Sequence, residues 1–208
     1  MIGIFGGTFN PVHKGHLSLA EQALTKLNLQ RVEFLPCNLP VHRDSPAVTS
    51  TKRAQMIKLA ITGLKSFHLN SLEIDRGGFS FTVDTLSQLR QQFSNQTICL
   101  LLGTDSFNGF MSWKKTDQIL QKCNIVVCQR PGNNINKKIY PDRQTTELSE
   151  LYQNSHGKIF MLNMDTNLCS SSKIRSQLAA GETKPQCLST AVLDFIFQHN
   201  LYGIARET

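Results

Sequence analysis

A short apolar, β-prone run, Ile2-Gly3-Ile4-Phe5, leads through Gly6-Gly7 into a segment whose apolar residues Leu17, Ala20, Leu24 and Leu27 recur at helical spacing. Arg31 to Pro36 follows as a second strand. Strand, turn, helix and strand in that order make a βαβ unit, which closes as parallel strands with a right-handed crossover. The alternation continues. Thr51 to Leu64 reads as a helix and Phe67 to Ile74 as an extended segment, while Val83, Leu86, Leu89 and Phe93 fall on one helical face. Thr97 to Leu102 and Asn124 to Cys128 are almost wholly apolar, as central parallel strands covered on both faces must be, and Lys158 to Leu162 adds another. The prediction is an α/β chain: a Rossmann-like doubly wound parallel sheet of about five or six strands with helices on both faces.

The 208 residues suit one large domain spanning 1–208, with a small C-terminal helical part from about residue 170. In that part Val192, Phe195 and Ile196 read as core. Gln129 to Gly157 is polar and holds Pro131-Gly132-Asn133-Asn134, so a long loop with a short helix near Leu148 to Tyr152 is expected there. The opening has no signal-peptide pattern, and no apolar run approaches the roughly 18 residues of a membrane span, so a cytoplasmic protein without membrane contact is expected. The six cysteines, Cys37, Cys99, Cys123, Cys128, Cys169 and Cys187, contain no C-x-x-C pair and read as buried thiols rather than a zinc site or disulfide framework. The formal charge of +7 fits either a nucleic-acid surface or a pocket for polyanionic nucleotides. Because the basic residues are dispersed, with no run longer than Lys114-Lys115 or Lys137-Lys138, small phosphorylated molecules are the expected partners and nucleic acid is not. Oligomeric state is left open, a homo-oligomer included.

In α/β sheets of this kind ligands bind beyond the carboxyl ends of the strands. Gly6-Gly7-Thr8-Phe9-Asn10-Pro11-Val12-His13-Lys14-Gly15-His16 lies at such an end. Its glycines let the backbone approach an anion, the N–H groups of a helix start point at it, and His13 and His16, three apart, lie on one helix face while Lys14 is turned away. Ser170-Ser171-Ser172-Lys173-Ile174-Arg175 supplies hydroxyls, helix-start amides and a guanidinium that can fork onto phosphate oxygens. Gly103 would admit a nucleoside at the end of the central strand, where Asp105 can accept from ribose hydroxyls.

These blocks together resemble the nucleotidyltransferase superfamily with its G-x-[FY]-D-x-x-H-x-G-H pattern, in particular its nicotinate-nucleotide adenylyltransferase branch. Asn10 stands where the family has Asp, which removes a charge and leaves no protein metal ligand to assign. Leu39-Pro40-Val41-His42-Arg43 is similar to the family's P-P-H-[KR] loop, so the resemblance implies that His42 and Arg43 hold the mononucleotide phosphate. Asp75 to Leu86 resembles R-x-G-x-S-Y-T-x-[DQ]-T-L with Phe81 in place of Tyr. By that resemblance Thr82 and Thr85 contact nicotinate mononucleotide, Asp105 serves both substrates, and Trp113 stacks on the pyridine ring.

The implied reaction moves the adenylyl group of ATP onto nicotinate mononucleotide, giving nicotinate adenine dinucleotide and pyrophosphate, a step in NAD synthesis. No nucleophilic side chain is needed; alignment and neutralisation of charge are. His16, His13 and Arg175 are the expected catalytic residues, with Lys173 nearby. Gly6, Gly7, Thr8, Phe9, His13, His16, Gly103, Asp105, Ser171, Ser172 and Arg175 form the expected ATP site, and Mg²⁺ arrives with ATP on phosphate oxygens and water. The alternatives are a sibling transferase acting on nicotinamide mononucleotide or another phosphorylated acceptor, and a nucleotide-sensing or RNA-binding module.

Overall fold

The computed structural model describes residues 1–41, 45–132 and 134–204. In chain order the described elements are β1 (Ile2–Gly7), α1 (Lys14–Lys26), β2 (Arg31–Pro36), α2 (Ser50–Ala60), β3 (Phe67–Leu69), α3 (Leu72–Arg76), α4 (Thr82–Gln92) and β4 (Ile98–Gly103). They continue with α5 (Thr104–Asn108), α6 (Thr116–Leu120), β5 (Asn124–Gln129), β6 (Gln144–Thr145), α7 (Leu148–Gln153), β7 (Ile159–Asn163), α8 (Ser171–Ala179) and α9 (Thr190–Gln198). The strands form one sheet in the order β3-β2-β1-β4-β5-β7-β6, and every pairing is parallel.

That order reverses direction at β1: the chain winds outward to β2 and β3 on one side, then returns to β4 on the other. The crevice of a doubly wound sheet opens at this point, beyond the carboxyl ends of β1 and β4. Alternation along the strands feeds two cores. Ile98, Leu100 and Leu102 of β4 face Leu86, Leu89, Phe107 and Ile119 of the helices on one side. Cys99 and Leu101 face the other side, where Ala20, Ile57, Ile174 and Ile196 belong to the same apolar cluster. The expected core residues Val192 and Ile196 are buried there, with Phe195 packed against them.

Three features depart from the sequence reading. Seven strands are present where five or six were expected, because β3 and β6, at three and two residues, are too short to carry a periodic signal. The extended segment from Phe67 ends at Leu69 and gives way to α3, since the Asn70 side-chain oxygen accepts from the Leu72 N–H at 3.2 Å and Ser71 Oγ donates to Asp75 at 2.6 Å, a local turn that competes with strand continuation. The loop before β7 carries β6, a 3₁₀ turn at Pro141–Arg143 and α7, which begins at Leu148 as predicted.

The thiol reading is corrected as well. Cys169 and Cys187 form a disulfide, whereas Cys37, Cys99, Cys123 and Cys128 are free. Spacing along the chain gives no hint of this bond; it follows from packing, which lays the entrance of α8 beside the segment preceding α9. Burial pushes the Cys99 and Cys128 thiols up to about 12, as expected for inert core thiols. No helix among the described residues is long and apolar enough to cross a membrane.

Candidate active site

His13 is the N-cap of α1, and the helix proper starts at Lys14. Three residues on, the ring of His16 returns over it: the two imidazoles stack with centroids 3.7 Å apart and planes inclined by 28°. Gly15 is what permits this. A Cβ there would lie 3.0 Å from two atoms of the His13 ring and 3.0 Å from the side-chain oxygen of Asn167. The His13 N–H donates to His16 Nδ1 at 3.2 Å, so in the neutral ring the proton sits on Nε2. Burial lowers the pKa of His13 to about 4, with the Arg130 guanidinium adding to the effect. His16 is also held well below the ordinary histidine value, by burial first and then by His13 and Arg130. Both rings are therefore neutral donors near pH 7. His13 Nδ1 is buried without a hydrogen-bond partner.

The α8 block docks on the same turn. Ser171 Oγ donates to the Pro11 carbonyl at 3.0 Å, and Arg175 Nη1 donates to the Asn10 carbonyl at 2.8 Å, across 160 and 165 residues of chain. Arg175 Nη2 lies 3.5 Å from Ser172 Oγ, while Lys173 is exposed beside it. The disulfide anchors this arrangement: the Cys187 carbonyl accepts from the Lys14 N–H at 2.9 Å, and Cys169 donates its N–H at 3.0 Å to the Asn167 oxygen that lies over Gly15. Asn10, in the place of an aspartate, has its amide oxygen taken by the Tyr202 hydroxyl at 2.9 Å. Among the described residues no group of three or more His, Cys, Asp or Glu converges to hold a metal ion.

Gly6, Gly7 and Thr8 line the partly exposed end of β1, and Gly103 ends β4 with open space around its Cα. Asp105 is exposed in the first turn of α5, at the same sheet edge. Phe9 differs from expectation. Its ring is 2% exposed and packs edge-on beneath His16 at 5.0 Å and against Phe5 at 5.3 Å, so its side chain supports the imidazole from the core.

On the other side of β1, the segment after β2 meets the segment before α4. Leu39 and Phe79 form a parallel bridge, Ser80 donates its N–H to the Leu39 carbonyl at 2.9 Å, and Asn38 donates to Ser80 Oγ at 2.9 Å. Thr82 opens α4 and lines a cleft of about 50 Å³ with Val41, Phe81, Trp113 and Lys114. Trp113 packs edge-on against Phe110 at 5.5 Å. His42 and Arg43 lie outside the described residues. Thr85 does not join the cleft: it is 2% exposed, and its hydroxyl donates to the buried Glu73 carboxylate at 2.7 Å while accepting from Arg76 at 3.0 Å. One turn into α4, it faces the core, which a motif read along the sequence does not reveal. A larger groove of about 580 Å³, lined by Asn70, Asp75, Arg76 and Gln88 among others, contains none of the residues expected at the site.

Both the sequence and the fold are similar to those of known proteins. The cytidylyltransferase-like family matches residues 4–177. A Methylococcus capsulatus protein named probable nicotinate-nucleotide adenylyltransferase is 36% identical over 98% of this chain and 100% of its own. The chain belongs to the nicotinate-nucleotide adenylyltransferase family. A Coxiella burnetii protein of the same name is 36% identical over 97% of this chain and 98% of its own. The Plasmodium falciparum nicotinic acid mononucleotide adenylyltransferase, solved in complex with NaAD, shares the fold with a TM-score of 0.75 at 20% identity, over 98% of both chains.

Within this member of the nicotinate-nucleotide adenylyltransferase family, two arginines escaped the sequence reading. Arg130 is exposed one residue beyond β5, at the same sheet edge, with its charge felt by both imidazoles. Its position directly after an apolar parallel strand was the available signal. Arg53, on α2, is 1% exposed and sends Nη1 to the Thr8 carbonyl at 2.7 Å, and Nη2 to the carbonyls of Cys37 and Asn38 at 2.7 and 3.0 Å. It thereby ties the turn after β1 to the loop after β2. A lone arginine on a helix carries no signal of such a role.

Proposed function

We propose that the protein transfers the adenylyl group of ATP to nicotinate mononucleotide, releasing pyrophosphate and forming nicotinate adenine dinucleotide. The observation that carries this reading is the stacked His13–His16 pair at the carboxyl end of β1, with the Ser171–Arg175 helix start docked on the same turn. A phosphate oxygen of the mononucleotide attacks the α-phosphorus of ATP in line. The new P–O bond forms as the bond to the bridging oxygen breaks, and that oxygen departs with its electron pair on pyrophosphate. His16 Nε2–H donates to the α-phosphate, where charge gathers, because Nδ1 is already occupied by the His13 N–H. Serving as a neutral donor, it needs no proton exchange with solvent near pH 7. His13 supports the same group, while Arg175, Ser172 and Lys173 receive the departing pyrophosphate. Gly103 and Asp105 border the nucleoside, and His42, Arg43, Thr82 and Trp113 take the mononucleotide. Mg²⁺ would come with ATP and supply charge neutralisation on its phosphates, held by ATP itself rather than by Asn10, whose amide oxygen is engaged by Tyr202. The cytoplasm, where ATP is made available, is the proposed location.

The test is pyrophosphate release with Mg-ATP and a panel of phosphorylated acceptors. Nicotinate mononucleotide should give the highest kcat/KM, and H16A should lose about a hundredfold in turnover, the usual cost of one transition-state donor. A folded H16A protein with near wild-type turnover removes His16 from the mechanism.

A further inference from the structure

We propose that Lys114 is the residue that makes the pyridine cleft prefer an acid over its amide, a choice the motifs leave undetermined. The inference deepens the functional reading above and rests on it. Lys114 lines the same cleft as Thr82 and Trp113, the residues proposed to receive the pyridine ring and its substituent. Its ammonium lies 4.3 Å from the centroid of the Phe81 ring and 3.8 Å from the Asp84 carboxylate. Neither contact commits the charge. The ion pair is long, and both its side chains are about half exposed, at 46% and 52%, where such pairs are weak and screened. The Phe81 ring holds the ammonium over its face and thus at the cleft wall, since a cation is attracted to the electron-rich face of an aromatic ring.

A carboxylate on the pyridine ring, placed in this cleft, meets an ammonium whose existing partner is poorly held; a carboxamide in the same place gains no charge interaction from it. Asp84 acts in the opposite sense. It competes for Lys114 and repels an incoming carboxylate from the first turn of α4. Selectivity is therefore set by the difference between two adjacent charges of opposite sign. Phe81 stands where the resembling motif has a tyrosine, so its ring offers the ammonium a face without a hydroxyl.

The experiment measures kcat/KM for nicotinate mononucleotide and nicotinamide mononucleotide, with Mg-ATP at low ionic strength, in the wild type and in K114M, K114R and D84N. The acid-to-amide ratio should fall about fivefold in K114M, the scale of a partly exposed charge pair, and should stay within about twofold of wild type in K114R, which keeps the charge. D84N should raise the ratio by about two- to threefold, a gain that misfolding would not produce. Added salt should narrow the wild-type ratio toward that of K114M. An unchanged ratio in K114M, equal losses on both substrates, or a fall in D84N overturns the assignment while leaving the proposed reaction standing. A wild-type protein that uses neither mononucleotide overturns the functional reading itself and this inference with it.

Discussion

Replacing Arg53 by Met tests whether one buried cation aligns the turn after β1 with the loop after β2. Its guanidinium makes three short bonds to the carbonyls of Thr8, Cys37 and Asn38, and a longer one at 3.3 Å to that of Val48, with 1% of the residue exposed. Hydrogen bonds from a charged donor contribute about 1.5–3 kcal/mol each, but burying this guanidinium, which has no carboxylate partner among the described residues, costs several kcal/mol, so the net worth is well below the simple total. Methionine relieves that desolvation and roughly keeps the volume, yet it strands the carbonyls at about 1–3 kcal/mol each where water cannot replace the donor. The expected destabilisation is about 2–4 kcal/mol, read from urea unfolding as a lower midpoint at constant slope. R53K should recover part of it, because an ammonium reaches fewer carbonyls than a planar fork does. If Arg53 positions substrates as well as holding the fold, folded R53K should also lose about tenfold in kcat/KM, since small displacements of reacting groups are costly. Stability within about 0.5 kcal/mol of wild type in R53M refutes the energetic argument. A large stability loss in R53M, with both KM values and kcat intact in R53K, refutes the positioning role.

The histidine pair makes stability sensitive to acid. His13 titrates near 4 in the folded protein against 6.5 unfolded, so as pH falls the unfolded chain takes up its proton first. Stability should be present in full above about pH 6.5 and be lost between there and about pH 4, by up to about 3 kcal/mol from this ring. His16 acts in the same direction. Urea unfolding at pH 7.5, 5.5 and 4.5 should show a shallower pH dependence in H13N than in the wild type, and equal slopes would contradict it. The Cys169–Cys187 cross-link spans 18 residues, for which chain entropy predicts about 3 kcal/mol of stabilisation. Adding a dithiol reductant, or making C169S, should lower the melting temperature and raise the KM for ATP, because the bond holds the entrance of α8 against the histidine turn. An unchanged melting temperature after verified reduction would count against any structural role for the bond.

The sequence by itself determined the βαβ alternation, the parallel sheet, the helix starts at Lys14 and Ser171 and the family. All of these depend on local periodicity or on contiguous motifs: Arg31–Pro36 is the observed second strand to the residue, and Gly15 between two histidines fits the stacking that its missing Cβ allows. Tertiary structure alone decided which motif side chains reach the cleft. Thr85 and Phe9 sit inside their motifs yet turn into the core: Thr85 because its place on α4 faces it toward buried Glu73, and Phe9, in the turn between β1 and α1, because its ring packs against Phe5 and His16. It also decided interactions between residues far apart in the chain: the Cys169–Cys187 bond, the grip of Arg53 on two loops, and the reach of the Arg130 charge to both imidazoles. Such interactions have no period and no fixed spacing. They exist only once the sheet order has brought the carboxyl ends of β1, β2, β4 and β5 to one edge, and the low histidine pKa values follow from the burial that the same packing imposes.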